Sequence, residues 1–189
     1  FKALGNMNKA RGLHKAALLG DGKVLLVGGA KEMQFDPSNA VFPLLPNQHV
    51  VDMEVFDPVN EVFILGPTDP ESERRVFHTV TSLDDGRVLV AGGGAEVSST
   101  AARSSTAICS SGSSVTCEIG PEMKRHRLGH TATLLADGRV FLWGGATDTS
   151  VDDNSCSHVG VTQCPEWFIN SSGQEDFIAV DAATPIIQA

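Results

Sequence analysis

Tyrosine is absent from this 189-residue chain, so no chemistry that needs a phenol can be built from it, and all aromatics together make up only 6%. Basic residues are scarce: 14 Lys and Arg face 23 Asp and Glu, a formal net charge of −9. That argues against a nucleic-acid or anionic-membrane surface, because phosphate binding depends on clustered cations. No apolar run approaches the length of a membrane span, and no helical periodicity of useful length appears. The four cysteines include no Cys-x-x-Cys pair, which removes a zinc ribbon. No Gly-x-Gly-x-x-Gly loop or Lys-Ser/Thr sequel follows any strand, and no Gly-x-Ser-x-Gly elbow occurs. The chain begins at Phe1, without an initiator Met or a signal-like segment, which suggests a processed chain or a piece of a longer one.

What the chain does contain is a repeat. Arg11 precedes His14 by three residues, Asp21-Gly22 follows the His at seven, and Gly28-Gly29 follows at fourteen. The same spacings recur from Arg75 through His78 and Asp85-Gly86 to Gly92-Gly93, and from Arg127 through His130 and Asp137-Gly138 to Gly144-Gly145. Each unit reads as two short strands around an Asp-Gly turn, the pair of residues that a two-residue type I′ hairpin demands. A long connection follows each Gly pair (30–48, 94–104 and 146–164), then a third strand such as Val51–Pro58 and a fourth such as Val62–Leu65, ended by Gly66-Pro67. Four short strands in about 55 residues describe one blade of a propeller.

These residues resemble the kelch-repeat family, in the variety found in galactose-oxidase-like and bacterial extracellular propellers. Arg-x-x-His, Asp-Gly-Arg/Lys-Val and the closing Gly-Gly carry the resemblance, with Glu54-Val55-Phe56-Asp57-Pro58 and Phe63 in support. It implies an all-β fold of three four-stranded antiparallel blades, over 8–67, 68–121 and 122–183. Residues 1–7 read as the outer strand of a preceding blade, and 184–189 as a tail or the start of a next one. Three blades do not close a ring, so the expected partners are remaining blades, from the same longer chain or from a second copy.

Cys109 with Cys117 and Cys156 with Cys164 each enclose seven residues, and two local disulfides in an exported, periplasmic or cell-surface protein are the favoured account. His14, His78 and His130 occupy equivalent positions and read as buried, backbone-satisfied residues rather than metal ligands. Arg11, Arg75 and Arg127 are candidates for binding a carboxylate ligand. An inter-blade ion pair with one of the chain's acidic residues is the favoured reading of each. Asp148, Asp152 and Asp153 supply oxygen atoms that could hold calcium, but without EF-hand spacing a solvated loop is favoured, and no cofactor is expected. Asn170-Ser171-Ser172 matches a glycosylation sequon.

The function favoured by these readings is a non-catalytic binding or scaffold segment, recognising a protein or glycan through its variable connections. One alternative is part of a kelch-type carbohydrate-active enzyme, an oxidase or sugar epimerase, whose catalytic residues lie outside this chain. The copper oxidases that share the scaffold need tyrosine ligands, and this chain offers none. A second alternative is a structural module of a surface assembly.

Overall fold

A computed structural model describes residues 2–35, 44–95, 102–147, 157–158, 161–162, 164–171 and 174–180. No helix occurs among them. The first sheet consists of β1 (Lys15–Leu18), β2 (Val24–Val27), β5 (Asp52–Asp57) and β6 (Val62–Thr68), in that order and antiparallel throughout. The second consists of β7 (Thr79–Ser82), β8 (Val88–Ala91), β9 (Thr106–Ser110) and β10 (Thr116–Ile119). The third consists of β11 (Thr131–Leu134), β12 (Val140–Trp143), β15 (Glu166–Ser171) and β16 (Gln174–Ala179). These are three propeller blades.

Side chains alternate along each strand, so every blade has two faces. Odd-numbered positions of the first two strands face the following blade. Leu25, Val27, Met53 and Val55 of the first blade pack against Val88, Val90, Ala107 and Cys109 of the second. Leu89, Ala91 and Ile108 of the second pack against Val140, Leu142, Phe168 and Phe177 of the third. The core therefore lies between blades and not within any one of them. β1, β7 and β11 lie side by side: Ser82 Oγ donates to the Leu18 carbonyl, and Thr79 Oγ1 lies 3.0 Å from His130 Nε2.

Two details of the hairpins depart from the sequence reading. Only Gly22 of the Asp21-Gly22 pair has positive φ (+85°), so the turn is not type I′. The Gly22 amide donates to Leu19 and the Leu19 amide to Lys23, which is a three-residue loop with a left-handed glycine, repeated at Gly86 and Gly138. The reason is the aspartate: Oδ1 of Asp21, Asp85 and Asp137 accepts the amide two residues on, a bond that holds the Asp outside the left-handed region. Further on, Gly66-Pro67 does not end β6 but lies within it, at an irregularity of the ladder between Leu65 and Thr68, where a proline in an outermost strand is tolerated.

The connection 30–48, read as a loop, carries two strands, β3 (Ala30–Phe35) and β4 (Leu44–His49), paired as an antiparallel ribbon outside the blade. Such a ribbon lacks the apolar alternation by which half-buried strands are recognised. The third connection similarly pairs β13 (Ser157–His158) with β14 (Val161–Thr162). Residues 2–7 are not in a strand. Lys2 pairs with Glu61 at 2.6 Å and Asn8 Nδ2 donates to the Phe63 carbonyl, which lays this segment along the outer edge of the first blade.

Cys109 and Cys117 face each other across β9 and β10 and are disulfide-bonded. Cys164 is disulfide-bonded as well, and Cys156, the partner expected of it, lies outside the described residues.

Candidate functional site at the axial mouth

The three arginines sit just ahead of the innermost strands, and all are buried. Arg11 Nη1 donates to the carbonyls of Gly28 and Asp52, and Nη2 to Glu54 Oε1 at 2.8 Å, with both side chains fully enclosed. Arg127 repeats this with the carbonyls of Gly144 and Cys164 and with Glu166 Oε1, again at 2.8 Å. The second oxygen of each glutamate accepts a backbone amide, Asn8 for Glu54 and Lys124 for Glu166. Burial opposes ionisation of Glu54, but the amides of Asn8 and Lys9, the Asn8 side chain and Arg11 outweigh it and hold its carboxyl below the usual range.

The second blade solves the same problem with different residues. Its position equivalent to Glu54 is Ala107, since Leu26 pairs with Glu54 and Val90 with Ala107. Arg75 keeps the two carbonyl bonds, to Gly92 and Ser105, and takes its carboxylate from Asp69, 2.8 Å from Nε. Asp69 Oδ1 also accepts the amides of Glu71 and Glu73. Each guanidinium thus joins the first, second and third strands of its own blade from the inside, and the ion pairs of Arg11 and Arg127 lie within a blade, not between blades as the sequence suggests.

The histidines act between blades. His78 and His130 each press their ring against the first glycine of the preceding pair, Gly28 and Gly92, where a Cβ would also collide with the carbonyl of Arg75 or Arg127. The neighbouring amides of Gly29 and Gly93 donate to those carbonyls at 2.9 and 2.8 Å. Burial, with Arg75 second in effect, pushes His78 down to about 3; a weak approach to the Val27 backbone favours its charged form and is outweighed. His130 is likewise pushed down to about 3 by burial and by Arg127. Both imidazoles are neutral. His78 makes no well-formed hydrogen bond, whereas His14 Nδ1 lies 3.2 Å from the Arg11 carbonyl.

Between Arg and His, the chain turns through an unusual conformation. Leu13, Phe77 and Gly129 are equivalent, and all three have positive φ, +59°, +56° and +68°. Leucine and phenylalanine hold that region only when their surroundings enforce it. The Gly129 amide donates to the Phe77 carbonyl at 2.7 Å, which ties consecutive turns together. These residues, with His14, Lys15 and the rims of His78 and His130, line a cavity of about 290 Å³ at one end of the innermost strands. The lining contains a cation, three imidazoles and apolar surface, and no carboxylate. Leu13, Phe77 and Lys15 escaped sequence reading because they fall in the variable places of the repeat. The glycine at 129 was the available signal, since it marks the position where the backbone turns left-handed.

The connections that follow the Gly pairs emerge at this same end. A second groove, of about 390 Å³, lies at the foot of the ribbon between Lys9, Lys31, His49 and Asp52, with Lys9 paired to Asp52. Asp148, Asp152 and Asp153 lie outside the described residues. No group of three or more His, Cys, Asp or Glu is placed to hold a metal among the described residues.

No protein-family description matches the chain, and no curated protein does. Among solved structures, it is similar to a fungal alcohol oxidase of the AA5 family in complex with copper, with a TM-score of 0.57 at 17% identity. The match covers 96% of this chain and 46% of that one, so this chain spans about half the length of that enzyme. The likeness is one of fold.

Proposed function

We propose that the chain forms three consecutive blades of a larger, exported kelch-type propeller that acts as a binding scaffold, with the axial mouth as its ligand-facing end. The observation that carries this reading is the convergence of Leu13, Phe77 and Gly129, all left-handed, on one cavity at the end where the connections of differing length emerge. Backbone strain at two of three equivalent places, relieved by glycine at the third, is a mark of functional sites. The opposite end carries three uniform Asp-Gly turns, which suit a structural role. A lining that combines Lys15, three imidazoles and an aromatic ring suits a glycan or protein ligand that bears an acidic group. The disulfide supports export. The remaining blades complete the ring around the same axis.

Binding to immobilised acidic and neutral oligosaccharides tests the reading. Acidic ligands are expected to be retained, with retention lost in Phe77→Ala and Lys15→Ala and kept in Asp137→Ala at the other end. Equal loss in all three variants, with the fold intact, overturns it.

A second reading, a part of a carbohydrate-active oxidase, is favoured by the fold shared with the copper alcohol oxidase. On that reading the metal ligands come from outside these residues. Calorimetric titration with copper is then expected to show no tight stoichiometric site on this chain.

A further inference from the structure

The two blade–blade contacts within the chain follow a rule of size. The face that the second blade turns to the first is small, with Ala107 and the Cys109–Cys117 pair, and it meets Leu25, Val27 and Met53. The face that the third blade turns to the second is large, with a Phe168–Phe177 pair, ring centroids 5.2 Å apart, and it meets the smaller Leu89, Ala91 and Ile108. Interiors are packed to near-crystalline density, so bulk on one side requires its absence on the other.

Among the described residues, two blade faces remain uncovered. On the third blade, Phe141 and Trp143 occupy the places of Leu25 and Val27, and Trp167 that of Val55. Leu25 and Val27 are 0% and 1% exposed, whereas Trp143 is 49% exposed. The glycines agree: a Cβ at Gly28 or Gly92 would strike the next blade, and at Gly144 it would meet nothing within 4 Å. On the first blade, the face turned away from the second presents Leu18, Leu26 and a Phe56–Phe63 pair at 4.9 Å, residue for residue the large face of the third blade.

We infer that the aromatic face of the third blade is the docking surface for a further four-stranded blade with small side chains at its centre, of the kind the second blade turns to the first, and not for a second copy of this chain. A second copy would bring Phe56 and Phe63 against Trp143 and Trp167, bulk against bulk. The inference rests on the reading of the chain as part of a larger propeller and names the chemistry of its next blade.

The test uses the whole chain, in which Trp143 and Trp167 are the only tryptophans, so their emission reports on this face alone. Wild-type chain is expected to sediment as a monomer at all concentrations, with red-shifted emission open to acrylamide quenching. Phe56→Cys/Phe63→Cys, which copies the Cys109–Cys117 register, is expected to associate to twice the mass with a blue shift. Phe141→Leu/Trp143→Ala/Trp167→Ile, which copies the face of the second blade, is expected to associate by the complementary route, so either variant decides if the other does not fold. A wild-type dimer with buried tryptophans overturns both the inference and the need for other blades. Folded variants that remain monomeric overturn the size rule alone.

Discussion

Arg11 Nη2 and Glu54 Oε1 lie 2.8 Å apart with neither side chain exposed, and Arg127 with Glu166 reproduces the pair two blades on. Removing one partner leaves the other charge buried and uncompensated. Glu54→Ala is therefore expected to destabilise the chain by about 3–5 kcal/mol, read from urea unfolding, and Glu166→Ala by a similar amount. A loss below about 1 kcal/mol would mean that water reaches the guanidinium and that the pair behaves as a surface salt bridge.

Asp69 is expected to matter as much, although no repeat spacing marks it. It holds Arg75 Nε at 2.8 Å and accepts the amides of Glu71 and Glu73. Glu71 stands 3.7 Å from Arg75 and is partly exposed. Asp69→Ala should cost about 3–5 kcal/mol, as for any broken buried pair. Glu71→Ala should cost less than about 1 kcal/mol. Reversal of that order in parallel urea titrations would show that Glu71 is the working partner.

The contrast between Glu54 and Asp69 shows where sequence reasoning reached its limit. The Arg-x-x-His, Asp-Gly and Gly-Gly spacings located three blades and their innermost strands, because each residue answers a local demand of turn or close approach. The partner of each arginine was not legible, since it lies some forty residues away in two blades and six residues before the arginine in the other. The ribbon of β3 and β4 was missed because it stands outside the blade core and lacks the alternating pattern. Leu13 and Phe77 were passed over because their distinction is a backbone angle, which a side chain does not announce.

His78 and His130 make the fold sensitive to mild acid. Both are held neutral in the native state, pushed down to about 3, whereas in the unfolded chain they return to about 6.5. Between those values the unfolded chain binds protons that the folded chain does not. Stability is complete above pH 6.5 and declines as pH falls through that window. At about pH 5 each histidine should remove about 2 kcal/mol. Guanidinium unfolding at pH 7 and pH 5 should show that difference in wild type and a flatter response in His78→Asn/His130→Asn. An unchanged pH dependence in the variant would place the acid sensitivity elsewhere.

Gly92 and Gly144 hold the same left-handed backbone, φ +61° and +71°, in different surroundings. A side chain at either position costs about 1–2 kcal/mol for the conformation alone. At Gly92 the added Cβ would also lie 2.6 Å from the Arg127 carbonyl and 3.0 Å from the His130 ring, so the second and third blades must separate. That adds about 1–3 kcal/mol of overpacking. Gly92→Ala is thus expected to destabilise the chain by about twice as much as Gly144→Ala in thermal or urea unfolding. Equal losses would mean that the contact between blades yields readily. Supplying a blade that docks on the third should erase the difference, because Gly144 would then meet the backbone that Gly28 and Gly92 already meet.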